Sequence, residues 1–294
     1  MPRISLVVLA WNNLEFTQKC VASLRDHTDL DHELVLVDNG SEEGAASWAR
    51  DNADVPVLND SNLGFAAGMN AGLATASGDY IAFINNDTVF PPGWASSIVG
   101  TFDDYPSAGI VTPAVTAAGN PVTVRDEPGA ERIVFNPFGE LPSGVVYAMR
   151  TDVIRSLGGW NESYPVATAE DLDLLFTVWV NGLDVILDTR VLVEHESRAS
   201  FENLPKFWEI QEDNLRMFLD RWQDPGTEIA ILSSVNPDVV SRNQRHAAAA
   251  AAWLDRLVWE RRRTRATQKR LDAALEVPAE ESHYRGRWWW RRRT

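Results

Sequence analysis

Short apolar runs alternate with amphipathic segments along the first half of the chain. The runs with the length and apolar character of buried strands lie at residues 4–9, 34–37, 55–58, 80–84 and 109–111. The segments with helical patterns lie between them, at residues 14–24, 45–50 and 62–72. Strands too apolar to have a solvated face, alternating with helices, are typical of βαβ units. The pattern therefore predicts an α/β fold with a mostly parallel sheet flanked by helices.

Residues 114–143 interrupt this alternation, because they are rich in Pro, Gly and charge and predict a long excursion or lid loop. The elements predicted after it are an apolar run at 145–149, a helix from 151, short strands at 185–187 and 191–193, and an amphipathic helix at 204–222. From residue 243 the residue propensities predict one long helix.

We therefore expect one domain at 1–222, with a first half at about 1–113 and a second at about 114–222. A basic, Trp- and Arg-rich helical extension would follow at 223–294.

Polar residues follow three of the predicted strands. They are Trp-Asn-Asn at 11–13, Asp-Asn-Gly at 38–40 and Asn-Asn-Asp at 85–87. One such group is an ordinary polar turn, since Asn and Asp are common turn residues. Parallel strands share a direction, however, so all three groups would meet at the carboxyl edge of the sheet, where open α/β folds bind ligands. Three groups at one edge indicate a site.

Gly64, Gly68 and Gly72 recur every four residues and would form one bare stripe on a helix. The stripe has two interpretations, which the sequence leaves open. It allows tight packing of the helix on the sheet, or close approach of a diphosphate to the helix N-terminus. It is neither a Walker P-loop nor a dinucleotide-binding fingerprint.

Charge and cysteine content indicate which binding partners and which cellular compartment to expect. The 294 residues carry a net charge of −15, which is unevenly spread: residues 1–240 hold 13 Lys and Arg against 36 Asp and Glu, whereas residues 241–294 hold 14 against 6. An acidic body argues against nucleic-acid binding. Cys20 is the single cysteine, and we expect a small buried hydrophobe in a reducing compartment. Without a signal peptide or an apolar run of membrane-spanning length, we expect a cytoplasmic protein.

Six segments together resemble the family 2 glycosyltransferases, which have the nucleotide-sugar-binding GT-A fold. The segments are ISLVVLAWNN, LVLVDNGS, NLGFAAGMNAG, YIAFINNDT, LGGWNE and AEDLDL, in the family's order, over residues 3–200. The resemblance is greatest to the rhamnosyltransferase-like branch, where Asn-Asn-Asp is a usual form of the Asp-x-Asp motif. It implies an inverting transfer from a nucleotide-diphosphate sugar, such as dTDP-rhamnose or a UDP-sugar, to a saccharide or lipid-linked acceptor in cell-surface polysaccharide biosynthesis.

The resemblance also implies roles for individual residues. The donor-binding positions are Ala10, Trp11, Asn12, Asp38, Gly64, Asn70, Asn85 and Asn86. Of these, Asp38 would accept a hydrogen bond from the base, and Asn70 would lie near the diphosphate. Asp87 and His195 would hold Mg²⁺ or Mn²⁺ against the departing diphosphate. Asn85 replaces a carboxylate of the commoner motif, which weakens the predicted metal site because an amide brings no charge.

Glu170 and Asp171 open a predicted helix, with Thr168 as the expected N-cap. Acidic residues in a first turn can merely complement the helix dipole. In the family's pattern, however, Asp171 is the general base that deprotonates the acceptor hydroxyl, and Glu170 helps to orient the acceptor. Asp173 would face away as a structural residue. Trp160 would either stack on the acceptor sugar or belong to the core.

Two other functions compete with this hypothesis. One is a sugar-nucleotide-binding protein without catalysis, suggested by Asn85. The other is a sugar-phosphate nucleotidyltransferase. The lack of a basic, Gly-rich start near the first strand counts against this alternative. The basic extension has three open interpretations: self-association through its helix, attachment to an anionic membrane surface, or docking on the acidic body.

Overall fold

The computed structural model describes residues 3–42, 44–117, 123–135, 142, 144–196 and 207–222. The elements of its first half are β1 (Ile4–Ala10), α1 (Leu14–His27), β2 (His32–Asn39), α2 (Ala45–Asn52), β3 (Val55–Asn59), α3 (Phe65–Thr75) and β4 (Tyr80–Asn85). The remaining elements are β5 (Thr88–Val89), α4 (Trp94–Asp104), β6 (Ala108–Val115), β7 (Arg132–Val134), β8 (Val146–Arg150), α5 (Thr151–Ser156), α6 (Glu170–Val180), β9 (Asp184–His195) and α7 (Phe207–Trp222). The predicted extension at 223–294, with its long helix, lies outside the described residues.

The strands form one mixed sheet in the order β3-β2-β1-β4-β8-β6-β9-β5, with β7 paired to β9. The first four strands are parallel to one another, as the apolar runs predict. β8 then enters antiparallel to both β4 and β6, and β9 is parallel to β6. The α/β prediction is confirmed, and the antiparallel β8 makes the second half of the sheet mixed.

Helices cover both faces of the sheet because side chains of a strand point alternately to opposite faces. Leu6 and Val8 of β1 belong to a core cluster that includes Leu24 of α1 and Trp94 of α4. Val7, between them, faces α3 instead, where a Cβ on Gly72 would be 2.3 Å from its Cγ1. Cys20 lies in the first cluster and is fully buried, as predicted, and burial raises the pKa of its thiol to about 12.

The second half departs from the sequence pattern in several places. Helix α4 and the short strands β5 and β7 were not predicted. The two strands predicted at 185–187 and 191–193 form one twelve-residue strand, β9, whose register against β6 shifts between Pro113 and Ala114. The apparent break in the sequence falls at this irregularity, so it marks a bulge and not a strand end.

None of the helices in the described ranges combines the length and hydrophobicity that crossing a bilayer requires.

Candidate active site

The polar ends of β1, β2 and β4 lie side by side. β1 runs between the other two and parallel to both, with Ala10 opposite Asp38 and Leu9 opposite Asn85. The predicted convergence of the three polar strand ends is therefore confirmed. Because β8 is antiparallel to both β4 and β6, the strand β6 runs in the same direction as β4 and β1, and β9 is parallel to β6. His195 at the end of β9 therefore lies at the same edge.

Asp87 and His195 face each other where β5 pairs with β9. The Oδ1 atom of Asp87 lies 3.3 Å from Nε2 of His195, and both side chains are largely buried. The other ring nitrogen, Nδ1, lies 2.6 Å from the carbonyl oxygen of Ala117. A carbonyl can only accept a hydrogen bond, so Nδ1 carries a proton and directs Nε2 towards Asp87.

This pair of side chains fits a divalent cation. A neutral His195 places the lone pair of Nε2 beside a carboxylate, and a cation or a proton between them satisfies both. Burial alone would lower the pKa of His195, but the hydrogen bond and charge of Asp87, with the Ala117 carbonyl, raise it above its usual value. In the described ranges no group of three or more His, Cys, Asp or Glu could hold a metal. A cation here would complete its shell with phosphate oxygens and water, as Mg²⁺ commonly does.

Glu170 and Asp171 begin helix α6. Asp171 contacts the segment just before β8, and this segment lies at the same edge of the sheet. Gly144 lies against Asp171, since a Cβ on this glycine would be 2.9 Å from Oδ2 of Asp171. The carbonyl of the next residue, Val145, accepts a hydrogen bond of 3.1 Å from the backbone N–H of Asn85. Asp171 is thereby linked to the Asn-Asn-Asp turn through two consecutive residues.

Burial raises the pKa of both acids. Desolvation and the charge of Asp171 raise the pKa of Glu170 to about 8. Desolvation likewise raises the pKa of Asp171, although the N–H of Leu172 donates to its Oδ1 over 2.8 Å. The hydroxyl of Tyr147 is buried near both carboxylates, and burial followed by their charges raises its pKa as well. A carboxylate with a raised pKa is suited to taking up a proton in a reaction.

The predicted N-cap at Thr168 is wrong. The residue before α6 is Ala169, with φ 71°, and no side chain caps the helix. The Thr168 hydroxyl is buried without a hydrogen-bond partner among the described residues. An N-cap residue has an extended backbone, whereas Thr168 has φ 82°.

Asp173 has the structural role that was predicted. Its Oδ1 accepts hydrogen bonds from Trp222 Nε1 over 2.8 Å and from the Tyr164 hydroxyl over 3.0 Å, and lies 3.4 Å from Arg221 Nε. Its Oδ2 accepts from the Asn161 amide over 3.2 Å. The carboxylate therefore joins α6 to α7 and to the segment before α6.

The loops after β1 and β2 form the wall of a small crevice that includes Ala10, Asn12 and Asp38. The backbone N–H of Asn12 donates to the Ser41 hydroxyl over 2.8 Å, and its side-chain oxygen accepts from the Glu42 N–H over 3.0 Å. Asp38 is buried and accepts a hydrogen bond of 3.3 Å from the Ser41 N–H. These bonds fix the predicted base-binding loops to each other. Trp11, in the loop after β1, is half-buried.

Two predicted donor-binding residues are engaged elsewhere. The Asn86 side chain is buried and donates to the Thr17 hydroxyl of α1 over 2.9 Å. The Asn70 amide donates to the Trp160 carbonyl over 2.9 Å and to Glu162 over 2.7 Å, and accepts from the Trp160 N–H over 2.8 Å. The structure corrects both assignments, because these amides hold the scaffold and are not free for a diphosphate.

Trp160 lies in the core. It is 3% exposed, stacks with Tyr147 at a centroid distance of 6.1 Å, and meets the rings of Phe65 and Phe83 edge-on at 5.3 Å. A covered ring cannot stack on a sugar. Of the two predicted roles, the structure therefore favours the core, which corrects the assignment to acceptor binding.

The glycine stripe serves packing at two of its three positions. A Cβ on Gly68 would lie 2.5 Å from Leu9, and one on Gly72 would lie 2.3 Å from Val7, so α3 sits directly on β1. Gly64 precedes α3 with φ 89°, and a Cβ there would lie 3.1 Å from the backbone of Val166. The predicted donor residue Gly64 thus packs on the segment that leads to Glu170.

Several residues that shape the site were missed by sequence reasoning. Asn39 is buried, and its amide binds Asn62, Gly64, Asn59 and Leu63. Its position in the quoted Asp-Asn-Gly group was the available signal. No sequence signal marked Gly144 and Tyr147, because both matter only through their proximity to Asp171, about 25 positions away.

The fold matches two solved structures that contain nucleotides. One is GalNAc-T7 with UDP, GalNAc and Mn²⁺, which superposes on 81% of this chain and 55% of its own, with a TM-score of 0.56 and 13% identity. The other is the mannosyltransferase PcManGT from Pyrobaculum calidifontis with GDP-Man and Mn²⁺, covering 92% of this chain and 81% of its own, with a TM-score of 0.51 and 17% identity. These likenesses establish the fold, which is the GT-A fold.

Residues 5–144 match the family described as Glycosyl transferase family 2. Over 215 residues the chain is 26% identical to the Pre-mycofactocin glycosyltransferase of Mycobacterium tuberculosis, covering 68% of this chain and 44% of that relative. The chain thus spans less than half the length of this curated relative. Residues 5–144 thus resemble a family 2 glycosyltransferase domain.

Proposed function

We propose that this domain transfers a sugar from a nucleotide-diphosphate donor to an acceptor hydroxyl, with inversion at the anomeric carbon. The observation that carries the proposal is the contact between Asp171 and Gly144. It brings a carboxylate of raised pKa to the edge of the sheet where Asp87 and His195 meet. The family match and the nucleotide sugars bound by structural neighbours support the same reaction.

In the proposed step Asp171 accepts the proton of the acceptor hydroxyl as its oxygen attacks the anomeric carbon. The new bond to the acceptor oxygen forms as the bond to the diphosphate oxygen breaks. The electron pair of the broken bond leaves with the nucleoside diphosphate. Attack opposite the leaving group inverts the configuration in one displacement. Burial and the charge of Asp171 raise the pKa of Glu170, so in the proposed site its protonated carboxyl would donate a hydrogen bond to the acceptor.

Asp87 and His195 are the residues that would hold Mg²⁺ or Mn²⁺. When bound, such a cation neutralises the charge that develops on the departing diphosphate. Asn85 adds no charge, but its side-chain oxygen is buried without a hydrogen-bond partner among the described residues. This orphan acceptor suits a ribose hydroxyl. Asp38 would accept from the base, and we take dTDP-rhamnose and UDP-sugars as the first donors to test.

A panel of nucleotide sugars with Mg²⁺ or Mn²⁺ tests the proposal. The expected result is release of nucleoside diphosphate, stimulated by a saccharide or lipid-linked acceptor. Binding of a sugar nucleotide without turnover would instead favour the non-catalytic alternative. Pyrophosphate release from a nucleoside triphosphate and a sugar 1-phosphate would identify a nucleotidyltransferase.

We further propose a cytoplasmic enzyme in cell-surface polysaccharide biosynthesis whose basic extension acts apart from the donor site. Every residue assigned to catalysis or donor binding precedes residue 196. Truncation after residue 243 should therefore leave donor affinity unchanged and reduce either self-association or binding to anionic vesicles. Sedimentation and vesicle flotation distinguish these two roles, and a truncated chain unchanged in both assays would contradict them.

A further inference from the structure

The segment that leads into α6 has an unusual backbone. Three non-glycine residues in it have positive φ: Val166 at 67°, Thr168 at 82° and Ala169 at 71°. Such values are costly for residues with a Cβ, and most of all for β-branched residues such as Val and Thr. They persist only where the surroundings impose them, and they are often found at functional sites. The next two residues are Glu170 and Asp171.

A single side chain of α7 binds most of this segment. The amide nitrogen Nδ2 of Asn214 lies 3.1, 2.9 and 3.0 Å from the carbonyl oxygens of Pro165, Ala167 and Thr168. The amide has two hydrogens for three acceptors, so one hydrogen is shared. Asn214 is fully buried, and its Oδ1 has no hydrogen-bond partner among the described residues. The polar contacts of this buried side chain are thus directed at the segment.

The segment is also held on its other side. The carbonyl that Asn214 does not bind, that of Val166, accepts a hydrogen bond of 2.6 Å from the N–H of Phe65 at the start of α3. Gly64 packs against the backbone of the same residue. Residues 165–168 therefore have all four carbonyls bound, three by α7 and one by α3.

The hydrogen bonds from Asn214 and Phe65 to residues 165–168 determine where α6 begins. The carbonyl of Ala169 accepts the first hydrogen bond of the helix, from the N–H of Asp173 over 2.9 Å. A segment that relaxed to ordinary φ values would turn the first residues of α6. Asp171 is one of those residues, and its contact with Gly144 leaves little room for such a turn.

We propose that Asn214 is a positioning residue that holds the 165–169 segment in its strained form and so places Asp171 for proton transfer. This inference rests on the proposed function, because it takes Asp171 as the base. It makes α7 a part of the catalytic assembly, although no residue of α7 need touch the substrate.

Other contacts keep α7 in place when Asn214 is changed. Trp222 and Arg221 bind Asp173, and Phe218 packs on Phe176 of α6 with a centroid distance of 5.0 Å. An Asn214 variant can therefore fold with α7 still docked. Phe218→Leu is the matched control, since Phe218 is as buried as Asn214 but is apolar and cannot donate to the segment.

The test compares Asn214→Leu, Asn214→Asp and Asn214→Gln with Phe218→Leu in the full chain. With the donor that the wild type turns over, kcat should fall roughly 10- to 100-fold for the Leu and Asp variants, with the donor KM unchanged. Asn214→Gln keeps the two N–H donors and should recover part of the loss. Phe218→Leu should lose stability but little kcat. An unchanged kcat for Asn214→Leu, or an equal loss in Phe218→Leu, would overturn the proposal.

Amide hydrogen exchange gives a readout that does not need turnover. Residues 166–173 should exchange about tenfold faster in Asn214→Leu than in Phe218→Leu, while β1 and β2 stay protected. If the wild type turns over no donor, the proposed function fails, and this measurement alone decides whether Asn214 holds the segment. Equal exchange in the two variants would mean that it does not.

Discussion

The two sides of the candidate site are built in different ways. On the proposed donor side, β1, β2 and β4 end together in register, and their polar residues follow directly from the chain pattern. On the proposed acceptor side, Asp171 is placed by Gly144, by a segment with three positive φ values and by a side chain of α7. The first arrangement needs only parallel strands, whereas the second needs contacts between residues far apart in sequence.

The two kinds of construction separate substitutions that should change donor binding from those that should change the rate of transfer. Residues at the ends of parallel strands should govern donor affinity, because the sheet holds them whatever happens to α6. Residues around Asp171 should govern the rate of transfer at constant donor affinity. Four variants test that division.

Asp171→Asn should have the largest effect. It keeps the shape of the side chain and removes its basicity, so transfer should fall by roughly 10²–10⁴-fold with donor affinity nearly unchanged. Rates of transfer and calorimetric donor titrations measure the two quantities. Asp152→Asn is the control, because Asp152 also lies in a first helical turn and also accepts the next backbone N–H. A normal rate for Asp171→Asn would move the base elsewhere.

Asp87→Ala should change donor binding, on the opposite side of the site. Removing this carboxylate should weaken metal-dependent donor binding on the order of 100-fold, because it is one of two protein ligands proposed for the cation. Calorimetry with and without Mn²⁺ measures the loss. Asp79→Ala, at the other end of β4, should bind the donor normally. Equal donor affinity in wild type and Asp87→Ala would remove Asp87 from the site.

Gly144→Ala should change the rate of transfer alone. Its Cβ would press on Asp171 at 2.9 Å, so transfer should fall about tenfold while donor affinity stays the same. Gly100→Ala provides the control, because a Cβ at Gly100 meets nothing within 4 Å. If Gly144→Ala reduced donor affinity and transfer equally, the separation of the two sides would be wrong.

Glu170→Gln should have the smallest effect on turnover and a visible effect on stability. The folded state raises the pKa of Glu170 to about 8, so wild-type stability should fall as the pH rises from about 4.5 to 8. The Gln variant lacks this loss and should be more stable at pH 8 by roughly 1–3 kcal/mol, with no advantage at pH 4. Urea unfolding across this pH range measures the difference in stability, with Glu209→Gln as the control at an exposed glutamate.

The sequence predicted the convergence of the three polar strand ends, because strand alternation and shared direction are local properties. Asp38, Asn85 and Asp87 follow from three apolar runs and one rule about parallel strands. The same reasoning misassigned Asn70, Asn86 and Trp160, since a motif does not show which partners a side chain meets after folding. Asn70 binds a segment 90 residues away, and Trp160 is covered by three rings.

The acceptor side could be predicted only in part. The Glu-Asp pair is visible in the sequence, but nothing near it shows that Gly144 and Asn214 complete its surroundings. Thr168 fits the usual pattern of an N-cap and fails because its backbone is left-handed. That conformation is imposed by α7 and α3, which the local sequence cannot report.

The number of extra residues at the irregularity in β9 determines which face of the sheet His195 points to. From Pro113 to Ala114 the strand β6 advances by one residue, while its partner β9 advances by four, from Asp188 to Leu192. Three extra residues are an odd number, so every later side chain of β9 changes face. Ile186 before the insertion and Val193 after it accordingly share one core cluster. His195 has the parity of Val193, so deleting any one residue at 189–191 should turn His195 away from Asp87. Substituting those residues should not, because the count and not their identity sets the direction of the imidazole.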